Sequence, residues 1–339
     1  MTASAVAAAV HSWPLRFDVS AAVPFPGATL GGWVCAPATL DRDAPVIVFA
    51  CLAGGGCSTG YWDAVADDVP DASMARYVAT RRCVVVALDH LGIGRSSPID
   101  DIYRVTPTIA AAAQDHALGR AITELRNGTL AEGMPAVPDV VPIGVGHSMG
   151  GMILGVQQAR HRTFDAVVVL GHGGDGMPEA LTAEEAAIDV EQPLVAIETD
   201  VAACARLRFA PNTTVERRGS RAGSFLLADV PDGLRRAFEA QRVPLLYSSG
   251  LVSMIPGATD DAKRAIDVPV FLAFGDHDLS SDYFGNMARY CSSRDVTLFV
   301  LPDAAHCHNH AVTRTLLWDR LVAWARGVSQ ISRRATSSP

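Results

Sequence analysis

The sequence is almost without lysine: Lys263 is the only one, and every other basic side chain is arginine or histidine. Acidic residues outnumber basic ones, the formal net charge is −8, and no basic cluster is available to track a phosphate backbone, so nucleic-acid binding is excluded as the main function. One lysine beside so much alanine and arginine reads as the codon bias of a GC-rich genome and carries no mechanism. Also missing is any apolar run near the roughly 20 residues that span a bilayer, so no membrane insertion is expected. The alanine-rich start, Ala3 to Val10, lacks the basic leader and cleavage site of an export signal. Seven cysteines are scattered without a Cys-x-x-Cys pair, which predicts reduced thiols and a cytoplasmic location. No internal repeat is present.

What is there fits a chain of 339 residues folding as one large α/β domain with an insertion, or as two smaller domains. Leu15–Val19 and Leu30–Cys35 alternate in polarity around Pro24, Pro26 and Gly27, predicting an antiparallel hairpin. Val46–Ala50, Cys83–Leu88, Val140–Val145 and Ala166–Leu170 are short continuous apolar runs, the pattern of parallel strands buried on both faces. Between them, 75–82, 107–126 and 152–160 read as helices, and Asn127-Gly128 stops the second. The alternation breaks from about Met177 to Lys263, where helical patterns punctuated by prolines predict an inserted segment. It resumes at Val268–Phe274 and Val296–Leu301. A closing helix offers Leu316, Leu317, Leu321, Val322 and Trp324 to the core, and a Ser/Arg-rich tail follows from Val328.

Gly146-His147-Ser148-Met149-Gly150 fits G-x-S-x-G and lies between a strand-like and a helix-like run, the context this motif requires. So tight a turn strains its central residue, and small neighbours are needed on both sides; Gly146, Gly150 and Gly151 supply them. Leu52-Ala53-Gly54-Gly55-Gly56 follows the first buried strand, and its glycines allow backbone amides to approach a developing anion. Gly275-Asp276-His277-Asp278 ends one late strand. Pro302 to His310, with His306, His308 and His310, ends the next.

Serine, then a strand-end acid, then a late histidine is an order that resembles the α/β-hydrolase fold family, over residues 15 to 327 with an interruption. The resemblance implies an α/β-hydrolase core at 15–176 and 264–327, a helical cap at 177–263 that sets the substrate, and flexible termini at 1–14 and 328–339. It implies Ser148 as nucleophile, His306 as its base and Asp278 as the acid that orients the ring, ahead of Asp276 and of Asp175, which ends the preceding strand. The oxyanion donors would be the amides of Met149 and of Ala53 or Gly54, although family members often carry His-Gly where this chain has Cys51-Leu52.

The chemistry needs these residue types. A serine hydroxyl is a poor nucleophile at neutral pH, so a neutral imidazole must take its proton and return it to the leaving group, while a carboxylate fixes the ring's tautomer. Neither a metal nor a cofactor is expected: His308 and His310 lack a suitable carboxylate or cysteine beyond Cys307, and like His147, His172 and His277 they read as supporting or core residues. Phe209, Phe225, Leu226, Leu227, Phe238, Leu245, Leu246, Tyr247, Met254 and Ile255 make the inserted segment apolar. The expected reaction is hydrolysis of a carboxylic ester or lactone of a small to medium hydrophobic molecule. Serine at 148 disfavours a dehalogenase or epoxide hydrolase, which uses aspartate there. Diketone C–C hydrolysis, acyl transfer, cofactor-free oxygenation and non-catalytic ligand binding stay open.

Overall fold

The computed structural model describes residues 10–40, 44–209 and 225–336, with side chains described as far as residue 330. One eight-stranded sheet organises them: β1 (Val10–Asp18), β2 (Thr29–Pro37), β3 (Val46–Leu52), β4 (Val84–Leu88), β5 (Val140–His147), β6 (Ala166–Leu170), β7 (Val270–Gly275) and β8 (Val296–Leu301). Its order is β1-β2-β4-β3-β5-β6-β7-β8. The β1–β2 and β2–β4 pairs are antiparallel and all others parallel.

The apolar runs form strands because both faces of the sheet are covered. Along β3, Val46, Val48, Ala50 and Leu52 join one buried cluster, and Ile47, Phe49 and Cys51 join the other. That is the two-residue period of a strand, with core on each side. Helices α2 (Pro107–Asn127) and α3 (Met149–His161) cover the first face, while α1 (Met74–Ala79) and the C-terminal helix cover the second. Gly128 ends α2 in the left-handed region at φ 72°, as the Asn127-Gly128 stop predicts.

Two expectations about the termini are corrected. The hairpin begins at Val10 rather than Leu15, with Val10 opposite Pro37 and Trp13 opposite Val34. Pro14 does not break it, because β1 is an edge strand, where proline is tolerated. At the other end the helix does not stop at 327: α10 by chain order runs Arg314–Thr336. Its buried stripe is Leu317, Trp318, Leu321, Val322, Ala325 and Val328, a helical period that carries past the expected end, while Leu316 faces solvent and Trp324 is half-buried. Residues 1–9 and 337–339, also expected to be flexible, lie outside the described residues.

Between β6 and β7 the chain forms α4 (Ala183–Ala186), α5 (Leu194–Arg208), α6 (Asp232–Ala240), α7 (Tyr247–Val252) and α8 (Asp260–Ala265), and α9 (Tyr283–Ala288) follows β7. Residues 210–224 of the expected insertion lie outside the described residues. Of its apolar residues, Phe209, Leu246 and Ile255 are buried in the main core, and Phe209 stacks on Tyr247, which in turn stacks on Tyr103.

Candidate active site

The parallel strands deliver their carboxyl ends to one edge of the sheet, where an open α/β sheet presents its crevice. β3 ends in the Ala53–Gly56 loop, β5 in Ser148, β7 in Asp278, and β8 in the loop carrying His306. Ser148 has φ 53° and ψ −125°, backbone angles that non-glycine residues rarely adopt. The strain is held by two close crossings. A Cβ on Gly146 would stand 2.5 Å from the Gly150 carbonyl, and one on Gly54 would stand 3.2 Å from Ser148 Cβ. Only glycine permits both approaches.

Three residues far apart in sequence meet here. His306 Nε2 lies 2.8 Å from Ser148 Oγ, and His306 Nδ1 lies 2.6 Å from Asp278 Oδ1. With the proton on Nδ1 donated to the carboxylate, the Nε2 lone pair accepts from the serine hydroxyl, the arrangement an imidazole needs to receive that proton. Burial works against the Asp278 charge, but the His306 ring facing it and hydrogen bonds from His306 and His308 outweigh this and hold the carboxyl well below its usual range.

The two other acids are occupied elsewhere. Asp175 accepts from Ser280 Oγ at 2.7 Å and from Asn286 Nδ2 at 3.3 Å. Asp276 accepts the amides of Asp303 and Ala304, both at 3.0 Å, and these bonds outweigh burial and lower its pKa. It therefore clamps the loop that leads to His306.

At the anion-stabilising end, Met149 is the first residue of α3, so its amide has no acceptor within the helix. Ala53 and Gly54 lie against the same turn, since a Cβ on Gly150 would strike the carbonyls of Leu52 and Ala53. Gly55 and Gly56 line the small cavity above Ser148, of about 20 Å³, together with Cys57, His147, Phe225, Phe238, Arg242, His306 and Cys307. Of the inserted segment's apolar residues, Phe225 and Phe238 thus line the cavity that holds the serine. The segment also fastens the glycine loop: Val243 N donates to the Gly56 carbonyl at 3.1 Å, and Ser58 N to that of Gln241 at 3.1 Å.

Three histidines support the site: His90, which the sequence did not single out, and His147 and His308, which it placed only among supporting or core residues without naming their partners. His90 Nε2 donates to the Ala53 carbonyl at 2.8 Å, so the loop after β4 props the glycine loop. Asp89 beside it accepts from Thr59 N at 2.6 Å and from Arg95 N at 2.8 Å. The signal was Asp89-His90 directly after a buried strand, in a D-x-x-G-x-G-x-S turn whose partners the sequence does not name. His147 Nε2 donates to the His306 carbonyl at 2.8 Å, while burial and then the neighbouring His306 and His308 push its pKa well down and keep it neutral. His308 approaches Asp278 from the side opposite His306, at 2.8 Å. His310, by contrast, is a core residue whose pKa burial lowers to about 3. No group of histidine, cysteine and acidic side chains suited to a metal ion occurs among the described residues. Nor is any described helix long and apolar enough to cross a membrane.

Comparison with known proteins agrees with this fold. Residues 47–315 match the family described as "Alpha/beta hydrolase family". Among solved structures, a highly thermostable carboxyl esterase from Bacillus coagulans is similar with a TM-score of 0.61 at 17% identity, over 94% of this chain and 99% of that one. A soluble variant of monoglyceride lipase from Saccharomyces cerevisiae gives 0.60 at 15% identity, over 90% and 93%. The enol-lactonase from Burkholderia xenovorans LB400 gives 0.55 at 15% identity, over 89% and 98%. At these identities the likeness speaks for the fold alone. No curated protein matches the sequence.

Proposed function

Since the chain belongs to the alpha/beta hydrolase family, we propose that it is a serine hydrolase cleaving a carboxylic ester or lactone of a small to medium hydrophobic substrate. The observation that carries this reading is the unbroken hydrogen-bond chain from Ser148 Oγ through His306 to Asp278. Ser148 Oγ attacks the carbonyl carbon as its proton passes to His306 Nε2. The resulting oxyanion is received by the amide of Met149 and one from the Ala53-Gly54 pair, and loss of one such donor costs about 3 kcal/mol of barrier. Collapse breaks the C–O bond, the alkoxide leaves with the proton from His306, and Ser148 is acylated. Water then attacks the acyl-enzyme with His306 again as base, releasing the acid and restoring the serine. Asp278 keeps the ring in the required tautomer and stabilises the imidazolium without taking the proton.

Residues 177–263 are read as a cap that sets the substrate, supported by Phe225 and Phe238 at the serine and by the bonds from Gln241 and Val243 to the glycine loop. Their rings favour an apolar acyl or alkyl group. The proposal includes a reducing, cytoplasmic location, supported by the burial of Cys35, Cys51 and Cys83 as thiols.

The test is a panel of esters, lactones and diketones scored by proton release, with fluorophosphonate labelling followed to the modified peptide. Ester or lactone turnover with label on Ser148, both abolished in Ser148→Ala, is expected. Substantial activity left in Ser148→Ala, or label on another residue, overturns the mechanism. Diketone cleavage without esterase activity, product that appears only with an acceptor alcohol, or turnover that stops without oxygen would move the chain to the corresponding chemistry on the same fold.

A further inference from the structure

Asp278 carries a histidine on each of its two oxygens, and the reaction as described uses only one of them. Oδ1 faces His306 Nδ1 at 2.6 Å and Oδ2 faces His308 Nε2 at 2.8 Å. The carboxylate is fully buried, and both rings are almost so. Backbone amides complete its shell, with Leu279 N at 2.7 Å from Oδ1 and Gly275 N at 3.1 Å from Oδ2.

The proton on His308 is assigned by its neighbours. Gly275 N lies 3.1 Å from both Asp278 Oδ2 and His308 Nε2 and could satisfy either. If it went to His308, a ring lone pair and a carboxylate lone pair would face each other at 2.8 Å with no proton between them. The ring therefore carries its proton on Nε2 and donates it to Oδ2, and the amide also serves Oδ2. Nδ1 is then the bare nitrogen, and it is buried with no partner among the described residues.

A local fold brings both rings to one carboxylate. Cys307 has φ −89° and ψ 74°, close to an inverse γ-turn, and His308 N donates to the His306 carbonyl at 3.1 Å. This reversal sets residues 306 and 308 on either side of Asp278. Gly171, at φ 63°, makes room, because a Cβ there would stand 3.1 Å from the His306 ring and 3.2 Å from that of His308.

We propose that His308 is a positioning residue for the reaction: its Nε2 proton holds the outer oxygen of Asp278, so that the inner oxygen stays directed at His306. This rests on the reading of Ser148 as nucleophile. Without His308 the outer oxygen keeps only the longer Gly275 bond, and the negative charge concentrates on the oxygen facing His306. The other ionisable groups around this pair are His147 at the end of β5, Tyr61 after β3, His172 after β6, Tyr283 on α9 and Asp276. Of these groups a change at His308 reaches His147, whose charged form the His308 ring also disfavours; burial, the larger cause, is left in place and keeps His147 neutral.

The test compares the whole protein with His308→Phe, which keeps a ring and loses the donor, and His308→Gln, which keeps an N–H donor without a titrating ring. Thermal melts establish the folded fraction of each. The rate at which a fluorophosphonate phosphonylates Ser148, with loss of fluoride, is followed against pH, and the proton shared by His306 and Asp278 is followed by NMR. In His308→Phe the rate per folded molecule is expected to fall about tenfold. Its acidic limb is expected to move to higher pH, because the more concentrated charge favours the imidazolium. His308→Gln should stay within about threefold of the parent with its limb in place. Equal behaviour of the two variants, whether both match the parent or both lose rate only with folded fraction, overturns the proposal. If Ser148 is not labelled at all, the nucleophile reading fails. The NMR signal then decides separately: a shift in His308→Phe but not His308→Gln sustains the pairing, and an unmoved signal in both ends it.

Discussion

His147 donates its Nε2 proton to the backbone carbonyl of His306, 2.8 Å away, so the residue before the serine holds the main chain of the residue that faces it. The His147 ring is itself fixed by stacking on Tyr61, with centroids 4.4 Å apart and planes 17° from parallel. His147→Phe keeps the stack and removes the donor, leaving the buried His306 carbonyl with only the His308 amide, at a cost of about 1 kcal/mol. A fall in kcat of about tenfold with KM little changed is expected, together with a lower urea midpoint. Unchanged kcat in a normally folded variant would remove His147 from any part in positioning the base.

The three acids at the strand ends are separated by their partners. Asp278→Asn leaves an amide where His306 needs an acceptor, and the wrong tautomer should lower kcat by about three to four orders of magnitude with the fold retained. Asp175→Asn disturbs only Ser280 and Asn286, and its kcat should stay within about threefold. Asp276→Asn loosens the amides of Asp303 and Ala304 and should act mainly on the melting temperature. A collapse of kcat in Asp175→Asn alongside an active Asp278→Asn would exchange the roles.

Acid sensitivity follows from the same carboxylate. Asp278 has a folded pKa well below its unfolded value, because its histidine partners outweigh burial. The folded state therefore binds this proton less readily than the unfolded chain. The resulting stability is present above the unfolded pKa of about 4 and is lost as pH falls from there through the folded value. Thermal melts between about pH 6 and pH 3 should show the parent losing stability in this window more steeply than Asp278→Asn. Parallel curves would mean that this carboxylate does not govern the acid limb.

Much of this arrangement could be read before any coordinates, and the reason is local. Ser148 is announced by the glycines its turn requires, Asp278 by its place just after a buried strand, and His306 by its place after the last, half-buried strand. What could not be read are contacts set by sheet register between distant segments. His90 reaches the Ala53 carbonyl because β4 lies beside β3, and His147 reaches the His306 loop across 159 residues. The same holds for the apolar residues of the inserted segment. Phe225 and Phe238 line the cavity above the serine, Phe238 as part of the core on that face of the sheet, while Leu246 and Ile255 are buried in the core of the other face, and hydropathy alone does not distinguish these places.

Lys263, set aside on sequence grounds, provides the last test. It lies on α8 at the end of the inserted segment, 3% exposed, with Nζ 3.2 Å from Asp260 Oδ1 and 3.4 Å from Thr259 Oγ1, while Arg289 pairs with the other Asp260 oxygen. Burial lowers its pKa, and Asp260 offsets this only in part. That lowering comes from burial and ends when the side chain meets solvent, so Lys263 reacts as an ordinary lysine once α8 or the whole chain opens, and slow native labelling reads exclusion of the reagent. Because no other lysine competes, the mass of one peptide reads the reaction. Acylation in native buffer is expected to be at least about a hundredfold slower than in denaturant, tracking global unfolding. Rapid native labelling, with activity retained, would instead show that α8 and the segment before it open while the sheet stays folded. The ion pairs of Lys263 and Arg289 with Asp260 would then not fasten the insertion to the core.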